Sequence, residues 1–538
     1  MSYTDKISVS MPANAGLRKL LAIDLPINPA RAVIALILLC AIARIALAAS
    51  VGLGTDEAYT VANARNLALS YVDYPPLHVW IVGAWSWLWH SELPVIVRLP
   101  FIALFAGSTW MMYRLTALLF GERAGFWSAL LFNLAPVFAL AHGSWVLPDG
   151  PLIFFLLSGA WVAARLLFAG VKPSYSLSGW LFAGLLAGLA MLSKYHGVFL
   201  PAGILVFLVS WAPGKSVLAW PGAWLGAALA ILIFLPVVIW NENHDWVGLF
   251  FQTKRLTDSV DLNPIRVFTS IGAQAGYLAP WLFIPLVIVW VRALMRGPHE
   301  PRTWFLALLA SGPIIIFTAL NLIARGLPHW TMPGWLFVFP LLGNEVARMA
   351  QLRPRLFVNA TSAAAATLIA IFTLLGTNAR TGWITQELPQ RFTQSDPTLD
   401  LVSWDEVGTA ISDRQLLNAK TPAIAATHWM EAGKLNYAVG TVIPVLCLCS
   451  DPHQFRYLHN LKEFAGRDIL VIGAHKDIKE HDPNLTRWFD RIETLPPITL
   501  HRGGKPAIEL TVIRGIGFRT HVVPTTLASS RVITSQKL

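Results

Sequence analysis

The sequence predicts a polytopic α-helical membrane protein with a small C-terminal α/β domain outside the cytoplasm. Three observations predict it. Of 538 residues, 55% are hydrophobic and only 13% charged, against about 25% charged in a soluble domain. The apolar residues fall into separated blocks of roughly 17 to 25, the length a helix needs to cross about 30 Å of hydrocarbon. Many of the 23 tryptophans lie near block ends, where aromatic belts meet the headgroups.

Taken in order, the candidate spans are 31–50, 76–90, 95–120, 124–142, 151–169, 178–193, 196–211, 217–240, 269–291, 303–323, 330–347 and 356–376. Residues 1–30 are mixed and polar and form a cytoplasmic N-terminal segment, with the first block an uncleaved span. Basic residues set the orientation. Arg18, Lys19 and Arg31 precede the first span; Arg292, Arg296 and Arg302, then Arg348, Arg353 and Arg355, mark later cytoplasmic loops. Residues 51–75, 241–268, 324–329 and the tail then face out. The charge pattern needs an odd number of crossings, about 11–13, so either one block between 76 and 121 is partial or interfacial or a further crossing lies elsewhere.

The tail, 377–538, has mixed charge and short apolar runs. PAIAAT (422–427), DILVIG (468–473) and AIELTVIR (507–514) read as strands, and the last residues as a frayed end.

A net charge of +11 is explained by cytoplasmic loops, and no nucleic-acid motif accompanies it. Three cysteines, Cys40, Cys447 and Cys449, make no disulfide framework, and C-x-C lacks zinc spacing.

Ionisable residues gather in the outward segments, where long loops carry function. GTDEAY places Asp56 and Glu57 just beyond the first span. Thr55 capping a helix would account for both acids by the helix dipole; a cavity-facing acid pair is the functional alternative. Asp73 follows in SYVDYPPLHVW, between Tyr71 and Tyr74. Pro75 and Pro76 end that loop and start a span, which holds the carboxylate at the water–lipid border. NENHDW brings His244 beside Glu242 and Asp245, and a carboxylate with a histidine can hold zinc or a similar divalent metal. SKYHG places Lys194 and His196 on an outward turn, against the positive-inside bias, which suits an anionic ligand. LPDG supplies Asp149, and ARGLPHW supplies Arg325 and His329.

In this order, TDEAY, VDYPPLHVW, LPDG, LSKYHG, NENHDW and LPHW resemble the GT-C superfamily of membrane glycosyltransferases. The likeness is to the branch of protein O-mannosyltransferases and lipid A aminoarabinose transferases. It covers 30–376 well, and HWMEAGKLNYAVG and PVLCLCSDPHQFRYL in the tail are similar to that branch's outer domain. The resemblance implies an inverting transferase in the bacterial inner membrane, with its active site and tail periplasmic. It would take a sugar from a polyprenyl-phosphate donor to a lipid A, glycan or protein acceptor. Asp56 takes the place of the catalytic base, with Glu57 beside it. Asp73 and His244 take the places of a metal pair. Tyr74 departs from a lysine common in the family, so donor phosphate would fall to Lys194 and Arg325, with Asp149, His196 and His329 as further candidates.

A transporter or flippase of a lipid-linked or anionic substrate is the rival. It calls for ionisable residues at the midplane of several spans, and often for internal repeats. Arg44 is a mid-span charge, but acids are nearly absent from span centres.

Overall fold

The computed structural model describes residues 28–257, 262–386, 396–474 and 483–520. The N-terminal segment up to 27 and the end of the tail lie outside them.

Among the described residues, seven helices are long and apolar enough to cross a membrane. They are α1 (Pro29–Ser50), α4 (Pro94–Phe120), α6 (Asp149–Phe168), α9 (Pro221–Glu242), α12 (Pro280–Arg296, continued to His299), α13 (Pro301–Leu320) and α15 (Pro354–Thr381). Proline opens six of these spans at the first turn, where its missing N–H costs nothing. Between them lie α2 (Thr55–Ala64), α3 (Leu77–Trp89), α5 (Glu122–Asn133), α7 (Leu177–Ser193), α8 (Phe199–Ser210), α10 (Val247–Thr257), α11 (Pro264–Leu278) and α14 (Phe339–Leu352).

Fewer single helices of spanning length therefore occur than the expected crossings, for local reasons. α3 has 13 residues, about 20 Å at 1.5 Å per residue; it is a partial block, the first of the two alternatives that charge parity leaves. The block 124–142 breaks, with an 84° bend between Glu122–Asn133 and Val137–Ser144. Pro136 and a π turn stand at the break. Arg44 spans it, donating from Nε to the Ala139 carbonyl at 2.9 Å and from Nη2 to Asn133 Oδ1 at 3.2 Å. Backbone freed inside a membrane needs such a partner, which gives this mid-span charge a structural use. The expected span 269–291 is corrected. Ala279, at φ +69°, ends α11 and starts α12, so the crossing runs from 280.

The tail is a mixed sheet in the order β2-β1-β3-β5-β4. Its strands are β1 (Ala423–Ala426), β2 (Val445–Cys447), β3 (Ile469–Gly473), β4 (Phe489–Arg502) and β5 (Lys505–Phe518). β2, β1 and β3 are parallel, and the β4–β5 hairpin adds antiparallel to β3. Gly503 and Gly504, both at positive φ, make the two-residue turn that such hairpins require. Helices α16 (Asp405–Asp413) and α17 (Trp429–Val439) cover the sheet.

The first outer loop belongs to this domain's core. Tyr59 and Ala62 of α2 are buried in one cluster with Trp404, Leu435 and Phe455. Gly433 makes that approach possible: a Cβ there would meet the Tyr59 backbone at 3.1 Å.

Candidate active site

The start of α2 is held from three directions. Glu57 caps the Gly54 N–H at 2.8 Å and accepts from the Val146 N–H at 3.0 Å. It also pairs bidentately with Arg98 of α4, at 2.8 and 2.5 Å. Arg98 in turn donates to the carbonyls of Ala48, Val51 and Gly52. Both side chains are buried. Burial alone would raise the Glu57 carboxyl, but the Arg98 charge and these hydrogen bonds outweigh it and hold it below its usual range. The expectation of Glu57 as a working acid beside Asp56 is corrected: its oxygens are all engaged in fixing the loop. The cap is Gly54, not Thr55. Thr55 is the first helical residue, and its N–H and hydroxyl bind Asp400, which arrives from the outer domain.

Asp56 is different. It sits in the same helical turn, yet its side chain is exposed to water. The protein packed around the cleft strips part of its solvation even so, which raises its carboxyl first, and the charges of Asp400, Asp73 and Glu57 add to that, bringing it to about 6. Nearby His453 works in the opposite direction. A water-accessible carboxylate ringed by other carboxylates is a proton acceptor matched to near-neutral pH.

Asp73 is buried at the centre of a lock between loop and domain. One oxygen accepts from the Tyr59 hydroxyl; the other meets His453 Nδ1 at 2.5 Å. His453 Nε2 lies 3.4 Å from Asp451, and its ring stacks on Trp429 at 4.3 Å. The Gln454 N–H donates to Tyr59 Oη at 3.0 Å, and the Val72 N–H donates to Gln454 Oε1 at 3.1 Å. From the second outer loop, Gln252 Nε2 donates to the Asp73 carbonyl at 2.6 Å. Lys434 adds a second clamp, donating hydrogen bonds to the carbonyls of Leu53, Asp400 and Val402. Burial lowers that ammonium to about 8.

The two residues of the expected metal pair are drawn into other contacts. His244 Nδ1 lies 2.7 Å from the Trp240 carbonyl, and its ring stacks on Trp240 at 4.1 Å, edge-on to Tyr457. Asp73 is taken by Tyr59 and His453. Among the described residues no group of three or more His, Cys, Asp or Glu side chains could hold a metal ion.

Lys194 is buried rather than open to an outward turn. Its Nζ binds both oxygens of Asp149, at 3.0 and 2.9 Å, and His142 Nε2 stands 3.7 Å from Asp149. His78, His196 and His329 lie within electrostatic reach of this pair. Buried His142 Nδ1 and His196 Nε2 have no hydrogen-bond partner. Orphaned polar atoms at such density mark a place for water or a ligand. His196 stacks on Phe317 at 4.7 Å, and Tyr74 meets His78 edge-on at 5.6 Å. Arg325 is exposed on the turn after α13, and His329 is half-buried beside Trp330.

Sequence reasoning missed Tyr59, Asp400, Lys434 and His453. Lys434 and His453 lie inside the two tail motifs already singled out, HWMEAGKLNYAVG and SDPHQFRYL; what was absent was any sign that they reach the first loop.

The geometry defines a polytopic helical membrane protein with a polar site where its outer loops meet a capping domain. Comparison then narrows the class. Residues 73–240 match the family model for dolichyl-phosphate-mannose-protein mannosyltransferase. A lipid A galacturonosyltransferase, RgtD of Rhizobium johnstonii, is 25% identical over 282 residues. That match covers 52% of this chain and 58% of that protein, so it spans little more than half the relative's length. ArnT from Cupriavidus metallidurans, solved bound to undecaprenyl phosphate, superposes with a TM-score of 0.55 at 15% identity. The superposition covers 93% of this chain and 98% of that one. Its apo structure gives 0.56 at 14% identity, over 89% and 97% of the two chains. The fold is the ArnT-like GT-C fold, and the resemblance to the GT-C superfamily drawn from the motifs stands.

Proposed function

We propose that the chain is an inverting glycosyltransferase that moves a sugar from a polyprenyl-phosphate donor to an acceptor hydroxyl on the outer face of the bacterial inner membrane. Lipid A, a glycan or a protein are the acceptor classes, and the RgtD match favours lipid A. The observation that carries this reading is Asp56: water-accessible, raised to about 6 and fixed on a helix that both the membrane region and the outer domain hold.

Transfer with inversion needs a base on one face of the sugar and a stabilised leaving group on the other. The acceptor oxygen attacks the anomeric carbon and its proton passes to the Asp56 carboxylate. The bond from that carbon to the phosphate oxygen breaks, and charge grows on the phosphate. Fixed positive charge stabilises it. Lys194 is one source, once the phosphate shares it with Asp149; Arg325 on the neighbouring turn is the other. The orphaned nitrogens of His142 and His196 offer hydrogen bonds to donor oxygens.

The test is glycolipid analysis by mass spectrometry in membranes carrying wild-type or Asp56→Asn protein. Loss of one specific glycosylated species in the variant supports the reading. An unchanged glycolipid profile argues against it.

A further inference from the structure

The C-x-C of the outer domain plays no part in the proposed transfer, yet its two thiols are in contact. Cys447 closes β2, and residues two apart in extended chain point to one side. Their Sγ atoms stand 2.6 Å apart. We propose that Cys447 and Cys449 are a dithiol–disulfide pair, closed by exchange with an external disulfide and reopened by reduction.

The two positions are unequal in a way that suits exchange. Cys449 is half-buried and Cys447 buried, so an incoming disulfide meets Cys449 first. The Cys447 thiol donates to Cys449, and the Asp451 N–H and the nearby His453 charge also favour its thiolate; together they outweigh burial and bring Cys449 below its usual range. Burial pushes Cys447 well up, so it waits as a thiol. The thiolate is the nucleophile in such exchange.

The steps balance. The Cys449 thiolate attacks one sulfur of the external disulfide, and a mixed disulfide forms as the other sulfur leaves as thiolate. Cys447 loses its proton to that leaving thiolate or to water and attacks Cys449 Sγ. The second external sulfur then leaves. The protein loses two hydrogens and two sulfur atoms join; the external disulfide becomes two thiols. Residues 450–453 lead directly from the pair to Asp451 and His453, so ring closure fixes the root of the segment that grips Asp73.

The test uses the purified full chain equilibrated with mixtures of oxidised and reduced glutathione, acid-quenched, alkylated and mapped by mass spectrometry. It reads thiols, not sugar transfer, so its failure and that of the proposed activity are distinguishable. Under oxidising mixtures the peptide holding both residues should lose both alkylation sites and weigh two hydrogens less, and reduction should restore it. Cys40, in α1, should stay alkylated throughout. Cys447→Ser should retain glutathione on Cys449, whereas Cys449→Ser should leave Cys447 unmodified. Full alkylation of both residues at every ratio would overturn the proposal, as would glutathione retained on Cys449 in the wild-type chain.

Discussion

Asp73 and His453 meet as a buried ion pair, 2.5 Å apart, and through it the outer domain holds the first outer loop. Burial alone would lower the imidazole. Its contacts with Asp451 and Asp73 outweigh that and raise it from 6.5 to about 9. A folded-state value above the unfolded one stabilises the protonated form. The contribution is complete below about 6.5, shrinks between there and about 9, and is gone above. Thermal unfolding across that window should show a midpoint that falls as pH rises. His453→Gln should flatten the slope; an equal slope in that variant would remove His453 as its source.

Glu57 and Arg98 form a structural pair, not a catalytic one. Breaking a buried pair strands one charge and costs about 3–5 kcal/mol. Arg98→Met should therefore lower the unfolding midpoint and yield strongly, and Glu57→Gln somewhat less, since the amide still accepts hydrogen bonds. Normal stability in Arg98→Met would contradict the assignment.

Lys194 and Asp149 share one buried contact, so their substitutions should not add. Lys194→Met and Asp149→Asn each leave an uncompensated partner. The double variant should recover about 1–3 kcal/mol relative to the sum, read by denaturation of both singles and the double. Strict additivity would mean the pair does not interact in the folded chain.

Divalent metal should be dispensable. Among the described residues no three ligating side chains converge, and Asp73 is held by Tyr59 and His453. Exhaustive chelation should leave transfer unchanged, and elemental analysis should find no stoichiometric zinc. Loss of activity on chelation, restored by one cation, would show a site this geometry does not provide.

Much of this was legible in the chain. Span-length apolar blocks bounded by proline and tryptophan located most of the helices, because burying polar backbone in lipid leaves little choice of structure. Short blocks misled where the chain bends: nothing local in 269–291 shows that Ala279 takes a positive φ. Asp56, Asp73, Asp149 and Lys194 were found as residues, since charge beside a membrane is conspicuous. Their partners were not. Arg98 inside a span reads as an odd charge, and Asp400, Lys434 and His453 are remote in sequence from the loop they hold. Strands β2 and β4 were missed as well: β2 has three residues, and β4 alternates with two prolines inside it.

The proton accepted by Asp56 is the centre of the account, and a pH–rate profile of wild-type and Asp56→Asn protein tests it most directly. With a polyprenyl-phosphate sugar and a hydroxyl acceptor, the wild-type rate should fall as pH drops through about 6, because the protonated carboxyl cannot accept. Asp56→Asn should be slower by roughly 100-fold or more at neutral pH and lack that limb. A variant as fast as wild type, or one that keeps the same acidic limb, would contradict it.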